Sequence, residues 1–369
     1  MFSNLFHKSF RILLLPLAIL YWAAIAIRNW LYNTNILKTT HFGMPLICVG
    51  NLSVGGTGKS PMVEYLVTLL KERYKVATLS RGYKRKTSGY ALADQHSTAL
   101  EIGDEPMQFH LKFPDIPVAV GEERIVAIPQ LLHDRPETSV IILDDAFQHR
   151  AITAGLNILL TEYGNLFTRD FYLPTGDLRD LKSSYKRADI IVVTKTKPGL
   201  SSVEKQAITR EIRPLAHQHV FFTAIQYGKI YHILSRDVIT LTGSTEVLLV
   251  TGIANPKPLQ TLLEEHISTY YLQQYPDHHI FTIDDLREIK KKFENIQAAD
   301  KIILTTEKDA VRLVKFNQEI AGIPLYVIPV RHHFLFQDGE KFHNLVNNFI
   351  LDFTKKQSSP EPVKKMTAS

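Results

Sequence analysis

Cysteine is nearly absent from the sequence, which has a single one, Cys48, among 369 residues. A disulfide framework within the chain and a zinc site built from cysteines are therefore excluded. Neither sign of charge is in large excess, since 43 Lys and Arg against 37 Asp and Glu leave a net charge of +6. A mildly basic chain permits a nucleic-acid, membrane-surface or phosphorylated partner without choosing among them.

Long apolar runs are also scarce, and the one that stands out lies near the N-terminus. Residues 12–27 carry no charged side chain, with Arg11 before them and Arg28 after them. Spanning a bilayer takes about 20 apolar residues, so the run is marginal in length. Three interpretations compete: a cleaved signal peptide, a core helix of a soluble protein, and a membrane anchor. A nucleotide-binding pattern soon after the run argues against export and so against the signal peptide. We favour the anchor, since Arg11 and Arg28 could snorkel and Trp22, Trp30 and Tyr32 could lie at the interface.

The remaining composition is typical of a globular protein, with 45% hydrophobic and 22% charged residues. A chain of this length is expected to hold two domains, each with its own core. In the first half, continuous apolar runs alternate with helical patterns, which predicts an α/β fold with a doubly wound, mostly parallel sheet. The second half repeats this alternation more weakly.

A glycine-rich turn at residues 53–60 is the most informative local pattern. An apolar run precedes it and a helical pattern follows, which is the context of a phosphate-binding loop. Lys59 would reach the β- and γ-phosphates, and the Ser60 hydroxyl would hold Mg²⁺. The predicted nucleotide-binding residues are Ser53, Val54, Gly55, Gly56, Thr57, Gly58, Lys59 and Ser60. Serine at position 53 departs from the glycine of the usual pattern.

A pair of carboxylates follows a second apolar run. Asp144 and Asp145 end the run 140–143, where a phosphate-loop protein places the carboxylate that serves its Mg²⁺. A solvated turn is the alternative, and the phosphate loop favours the metal site. Gln148 and His149 follow closely enough to face the same cleft.

Two further groups are ambiguous from the residues alone. Asp104, in Gly-Asp-Glu-Pro, fits a helix cap slightly better than a base for an attacking hydroxyl. Residues 277–279, Asp-His-His, form an acid–imidazole cluster for which a surface turn is the commoner explanation.

Basic residues offer several candidate contacts for an anionic substrate. They are the run 81–86, Arg124 and Arg179, each of which is more often a solvated side chain. Residues 194–197, Thr-Lys-Thr-Lys, are similar to the base-reading motif of GTPases. Because Lys197 stands where that motif has its guanine-binding aspartate, GTP is not predicted.

Taken together, these motifs resemble those of the tetraacyldisaccharide 4′-kinases of lipid A biosynthesis. The resemblance covers essentially the whole chain except the tail, and serine at position 53 belongs to the family pattern. It is carried by the N-terminal apolar segment and by residues 50–61, 80–83, 103–106, 121–124, 144–149, 277–279 and 306–311. The family often has Glu where this chain has Asp180, and Gly where it has Ala146.

The resemblance implies an enzyme that transfers the γ-phosphate of ATP to the 4′-hydroxyl of a tetraacyldisaccharide 1-phosphate. It implies that Ser60, Asp144 and Asp145 serve Mg²⁺, and that Lys59 and Asp145 act in catalysis. It further implies that Asp104 and His278 form the dyad that activates the hydroxyl, meeting across a cleft that closes over ATP and lipid. The residues implied to contact substrate are Arg81, Arg124, Gln148, His149, Arg179 and Asp180.

The same resemblance sets the expected organisation and location. The domains are predicted as an anchor helix (1–32), a phosphate-loop kinase core (33–220) and a smaller α/β domain with hinge strands at its start (221–353). The tail (354–369) lies outside the resemblance, and its polar, lysine-bearing composition predicts disorder. The implied partners are the lipid disaccharide and membrane lipids, with neither nucleic acid nor an obligate protein partner. The implied location is the cytoplasmic face of the inner membrane. The alternative function is a membrane-tethered ATPase that acts as a regulatory switch.

Overall fold

The computed structural model describes residues 11–358, with side chains described through residue 355. The strands are β1 (Leu46–Asn51), β2 (Val76–Ser80), β3 (Ala91–Leu92), β4 (Val118–Val120), β5 (Val140–Asp144), β6 (Leu156–Glu162), β7 (Ile190–Thr194), β8 (His219–Tyr227), β9 (Ile230–His232), β10 (Val238–Ile239), β11 (Glu246–Thr251), β12 (Tyr270–Gln274), β13 (Lys301–Thr306), β14 (Leu325–Ile328) and β15 (Val330–Phe334).

The α-helices alternate with these strands through most of the chain. They are α1 (Leu15–Asn33), α2 (Lys59–Leu70), α3 (Ala99–Ile102), α4 (Asp104–Lys112), α5 (Arg124–Asp134), α6 (Ser202–Ile212), α7 (Lys257–His266), α8 (Ile283–Glu294), α9 (Glu307–Leu313), α10 (Asn317–Ile320) and α11 (Gly339–Ser358). Short 3₁₀ turns occupy Ile12–Leu14, Lys182–Arg187 and Val314–Phe316.

The apolar run near the N-terminus forms helix α1. Together with the 3₁₀ turn before it, this segment covers Ile12–Asn33, with a mean hydropathy of 1.8 and 11% of it buried. Within the part of the chain that the structure describes, it is the one helix long and apolar enough to cross a membrane. Pro16 lies in its first turn, where proline is tolerated. The first ten residues of the predicted anchor lie outside the described residues.

The chain divides into two compact units that are discontinuous in sequence. Among the described residues, unit 1 comprises 11–81, 116–225 and 332–358, and unit 2 comprises 82–115 and 226–331. The predicted domains were contiguous and assigned 82–115 to the kinase core. Residues 82–115 lie in the sequence between two segments of unit 1. A division of the sequence into consecutive domains therefore cannot assign them to unit 2.

Unit 1 contains the predicted doubly wound parallel sheet. Its strands follow the order β15-β8-β7-β6-β1-β5-β2-β4, and the neighbours from β8 to β4 run parallel. Strand β1 is central, and every residue in β1 and β5 is buried. The chain leaves β1 towards β2 and later returns on the other side of β1 as β6. Ligands of such sheets bind at this switch point, beyond the carboxyl ends of the strands.

Unit 2 is a smaller α/β unit around a mixed sheet. Its strands follow the order β10-β9-β14-β13-β11-β12, parallel from β12 to β14 and antiparallel at β9 and β10. Two apolar clusters pack within the unit; one includes Phe281 and Phe293, and the other includes Leu259 and Leu263.

The final helix differs from the sequence expectation. Helix α11 extends to Ser358, so residues 354–358 of the predicted disordered tail are helical. Phe342, Val346 and Ile350 recur at a spacing of four and are buried, which stabilises the helix against unit 1. The rest of the predicted tail lies outside the described residues.

Candidate functional site

The glycine-rich turn connects the end of β1 directly to α2. Gly55 and Gly58 have φ angles of 103° and 88°, a region that favours glycine. The backbone N–H of Val54 donates to Asp177 at 2.7 Å, and the Asn51 side-chain amide donates to the Thr57 hydroxyl at 2.8 Å. Ser53 does not have a positive φ, and it forms a β-bridge instead, so a serine fits there without strain. The turn has the form of a phosphate-binding loop.

A charged cluster faces the start of α2. Lys59 Nζ lies 3.7 Å from Asp145 Oδ1. The Arg179 guanidinium donates to both Asp145 oxygens, at 3.0 Å for Oδ2, and to Asn51 Oδ1 at 2.5 Å. Two cations therefore converge on one carboxylate beside the loop. A polyphosphate could take the place of that carboxylate as their partner.

Of the two predicted aspartates, Asp144 ends β5, and Asp145 follows it in a turn that lies next to the loop. Strand β5 pairs with β1 in parallel, with Asp144 opposite Val49. Asp145 has a φ of 50°, in the left-handed region, so the extended strand ends before it. Burial raises the pKa of Asp145, but Lys59 and Arg179 outweigh burial and hold it below its ordinary value. The carboxylate is therefore ionised at neutral pH.

Arg124 stabilises this turn from the interior of unit 1. It is 2% exposed and donates to the backbone carbonyls of Gly121 and Asp144, the latter at 3.2 Å. Burial lowers its pKa to about 10 while Asp144 opposes the shift. The predicted substrate contact at Arg124 meets a physical obstacle, because its guanidinium is directed at backbone carbonyls in the interior.

The remaining predicted substrate residues occupy different positions. Arg81 is exposed at the end of β2, and the Gln148 amide donates to the Asn51 carbonyl. His149 has its pKa lowered to about 4, by burial first and then by Arg124 and other cations. Neutral His149 is thus the resting form at neutral pH.

Asp180 is buried within unit 1. It is 1% exposed, and its oxygens accept hydrogen bonds from Asn29 at 2.8 Å, Ser184 at 2.9 Å and Arg187 at 2.9 Å. The bond from Asn29 fixes helix α1 to the rest of unit 1. The predicted contact of Asp180 with substrate stays a prediction.

Unit 2 holds the second predicted pair, Asp104 and His278, together with Arg312, which the sequence did not predict. His278 Nδ1 lies 3.2 Å from Asp104 Oδ2. Arg312 donates to Asp104 through Nε at 3.1 Å and through a terminal nitrogen at 2.5 Å, and that nitrogen lies 3.0 Å from His278 Nδ1. The Arg312 side chain is 7% exposed. These three residues form a compact charged triad.

The triad fixes the ionisation of its carboxylate. Burial raises the pKa of Asp104, but the hydrogen bonds and charges of Arg312 and His278 outweigh burial and lower it. Nδ1 of His278 binds the carboxylate when it carries a proton and accepts from Arg312 when it does not. Asp104 is thus an ionised acceptor held in a fixed orientation.

The position of Asp104 corrects two expectations. Gly103 is the cap of α4, with Asp104 as the first helical residue, so the interpretation of Asp104 as a cap is wrong. Asp104 and His278 also belong to the same unit, since 82–115 is part of unit 2. The pair therefore does not need closure of a cleft between domains in order to form.

Three ion pairs join helices α4 and α9, which carry Asp104 and Arg312 of the triad. Besides Asp104 with Arg312, Lys112 binds Glu307 at 2.6 Å and Lys308 lies 3.5 Å from Glu105. The order of the pairs makes the two helices antiparallel. Arg312 was missed in the sequence because no local pattern joins it to Asp104, and its helix mixes charged and apolar residues without marking any one of them.

Asp309 connects α9 to the loop that carries His278. It is fully buried and accepts from the Thr306 hydroxyl at 2.7 Å and the Gly252 N–H at 3.1 Å. The Gly252 carbonyl in turn accepts from the His278 N–H at 3.2 Å. Gly252 is closely packed, since an added Cβ would lie 3.1 Å from Asp309 Oδ1 and 3.2 Å from the Pro276 carbonyl oxygen, closer than most Cβ contacts. This path explains how His278 is held at a φ of 63°.

The comparisons with known proteins point to one family, and the matches span both units. A family model described as tetraacyldisaccharide-1-P 4′-kinase matches residues 10–350. A tetraacyldisaccharide 4′-kinase from Flavobacterium johnsoniae is 44% identical over 365 residues, covering 97% of this chain and 100% of that protein. One from Parabacteroides distasonis is 42% identical over 352 residues, covering 91% and 94%. The crystal structure of LpxK from Aquifex aeolicus in complex with ATP matches with a TM-score of 0.73 at 27% identity, covering 92% of this chain and 99% of that one.

Proposed function

The chain belongs to the tetraacyldisaccharide 4′-kinase family, and from that premise we propose that it transfers the γ-phosphate of ATP to the 4′-hydroxyl of a tetraacyldisaccharide 1-phosphate. The observation that carries this proposal is the convergence of Lys59 and Arg179 on Asp145 beside a glycine-rich loop. Phosphoryl transfer depends on positioning and charge stabilisation more than on covalent chemistry by the protein.

ATP is proposed to bind with its phosphates in the loop. The glycines at 55 and 58 and the start of α2 direct backbone N–H groups at an anion. Lys59 and Arg179 would exchange the Asp145 carboxylate for phosphate oxygens. Because Asp145 is held ionised, it keeps both cations in place until the nucleotide arrives.

Mg²⁺ is proposed to bind at the same edge. Mg²⁺ takes oxygen ligands and needs only one or two carboxylates when it also contacts substrate phosphates. Ser60, Asp144 and Asp145 are oxygen donors of this kind, so the residues present fit the ion. Bound there, the ion would neutralise charge on the β- and γ-oxygens.

The acceptor hydroxyl is proposed to be oriented by Asp104. A carboxylate with a lowered pKa is a weak base, but the transition state of phosphoryl transfer is loose and needs a hydrogen-bond acceptor that aligns the hydroxyl. Arg312 holds Asp104 through two hydrogen bonds and His278 approaches the same oxygen, so the acceptor is fixed in advance. His278 can take up the proton that Asp104 receives.

Helix α1 is proposed to hold the enzyme at the membrane. Its exposed apolar side chains include Leu15, Leu17, Leu20 and Ile27. Its polar contacts go to unit 1, through Asn29 to Asp180 and through Tyr21 to the Arg179 carbonyl. An acylated substrate resides in a bilayer, and ATP is available on the cytoplasmic side. We therefore place the enzyme on the cytoplasmic face of the inner membrane.

The test is whether ATP consumption depends on the lipid acceptor. The full chain in detergent is given ATP and Mg²⁺ with and without the tetraacyldisaccharide 1-phosphate, and ADP and phosphorylated lipid are measured together. We expect ADP to form in step with phosphorylated lipid, and Lys59→Ala to lose both. A membrane-tethered regulatory ATPase would instead release ADP without lipid and yield no phosphorylated product.

A further inference from the structure

Two side chains with no assigned role contact the phosphate loop from the sheet of unit 1. The Thr194 hydroxyl, at the end of β7, donates to the Thr57 carbonyl at 2.8 Å, with the Thr161 carbonyl as a more distant acceptor at 3.3 Å. His332, in β15, lies with Nε2 2.9 Å from the Gly58 carbonyl. Thr194 is fully buried and His332 is 9% exposed. Two successive loop carbonyls are therefore held by side chains from two strands.

The chemical form of His332 follows from its partners. A carbonyl accepts only, so Nε2 must carry a hydrogen to bind Gly58. On the other side of the ring, Nδ1 lies 2.9 Å from the Thr223 hydroxyl, which can donate to it. Burial lowers the pKa of His332 to about 4, although the Gly58 carbonyl opposes the shift. The ring is thus neutral at physiological pH, with its hydrogen on Nε2.

Fixing a carbonyl also fixes the amide that follows it. In a trans peptide the C=O of one residue and the N–H of the next point in opposite directions. The bond from Thr194 therefore turns the Gly58 N–H away from β7. The bond from His332 turns the Lys59 N–H away from β15, together with the helical bond that the Gly58 carbonyl accepts from the Met62 N–H at 3.2 Å. Gly58 adopts the left-handed conformation directly before a helical residue, a combination that makes successive N–H groups converge on an anion.

We infer that Thr194 and His332 are positioning residues that orient the Gly58 and Lys59 amides for the phosphates of ATP. The inference rests on the proposed function, since it requires the nucleotide to bind in this loop. It assigns a role to the Thr-Lys-Thr-Lys segment that is independent of guanine recognition. The role is preorganisation: a loop already turned to receive phosphate does not have to reorganise on binding.

The experiment compares variants that remove each hydrogen bond with variants that retain it. Thr194→Val and His332→Leu keep the approximate volume and remove the donor, whereas Thr194→Ser and His332→Gln keep a donor. Thr78→Val is the matched control, because Thr78 is a fully buried strand threonine of the same sheet whose hydroxyl has no hydrogen-bond partner among the described residues. The affinity of the full-length enzyme for ATP with Mg²⁺ is measured calorimetrically without lipid, alongside the KM for the lipid acceptor and the melting temperature.

We expect Thr194→Val and His332→Leu each to weaken ATP binding by about tenfold, the value of one hydrogen bond. Thr194→Ser and His332→Gln should recover most of the affinity, the KM for lipid should stay within about twofold of the parent, and Thr78→Val should bind ATP normally. If Thr194→Val binds ATP as tightly as Thr78→Val does, the inference is overturned, and this holds even if His332→Leu fails to fold. Lys59→Ala distinguishes failure of this inference from failure of the proposed function. If Lys59→Ala also binds ATP normally, the loop is not the nucleotide site.

Discussion

The ion pair between Asp104 and Arg312 offers a way to separate catalysis from folding. Asp104→Asn removes the charge but keeps the shape, and it leaves the Arg312 guanidinium, which is 7% exposed, with the Asp309 carboxylate at 3.6 Å as its remaining ion-pair partner. Breaking a buried pair in this way costs about 3 kcal/mol of folding free energy. If Asp104 also orients the acceptor hydroxyl, kcat falls by about 100-fold or more. A low activity alone would not distinguish these two effects.

The double variant Asp104→Asn with Arg312→Met separates them. Removing both charges eliminates the cation that lost Asp104, so the unfolding free energy should recover part of the loss; the rest stays lost because the variant also removes the 3.6 Å contact of Arg312 with buried Asp309. The kcat should remain at the level of Asp104→Asn, because the acceptor carboxylate is still missing. The measurements are chemical denaturation and initial rates of lipid phosphorylation at saturating ATP.

Lys308→Met is the matched control for the same helix pair. It removes the 3.5 Å contact with Glu105 between α4 and α9 but leaves Asp104 untouched. We expect its kcat to equal that of the parent. The reasoning is refuted if the double variant regains turnover to near the parental level, since Asp104 would then act only as a structural counter-ion.

Three further predictions follow from individual contacts. Arg312→Met should move the acid limb of kcat/KM to higher pH, because loss of the guanidinium raises the pKa of Asp104; an unchanged limb would contradict this assignment. The parent should lose about 3 kcal/mol of stability through His332 as pH falls from 6.5 to 4, since the unfolded histidine takes up a proton there and the buried ring, whose pKa is about 4, does not; His332→Gln, followed by denaturation across this pH range, should lack that loss. Deleting residues 1–33 should release the protein from membranes into a detergent-free soluble fraction, and continued sedimentation with vesicles would count against helix α1 as the anchor.

Local motifs were the part of this molecule that the sequence predicted well. The strand, loop and helix at 46–70 are contiguous, and the Asp144–Asp145 turn follows an unbroken apolar strand. Each can be recognised from a short window, because neighbouring residues determine both the backbone and the chemistry. The doubly wound sheet followed from the same repeated pattern.

Contacts between distant segments were not predicted from the residues alone. Asp104 and His278 are 174 positions apart, and Asp104 and Arg312 are 208 apart. Resemblance supplied the first pair, and nothing in the sequence supplied the second. Asp180 also makes a contact that the sequence did not predict: the resemblance implied a substrate contact, and in the structure its side chain is buried against Asn29, 151 positions away.

We propose that the loop at residues 53–60, with its Lys59, acts together with Asp145 and Arg179 to direct the γ-phosphate of ATP to a lipid hydroxyl. The most direct measurement uses ATP labelled at the γ-phosphate, with mass spectrometry of the recovered disaccharide to locate the label. The account predicts one labelled phosphate on the 4′-oxygen with the parent enzyme and none with Lys59→Ala. Label found only as inorganic phosphate, with the disaccharide recovered unchanged, would contradict it.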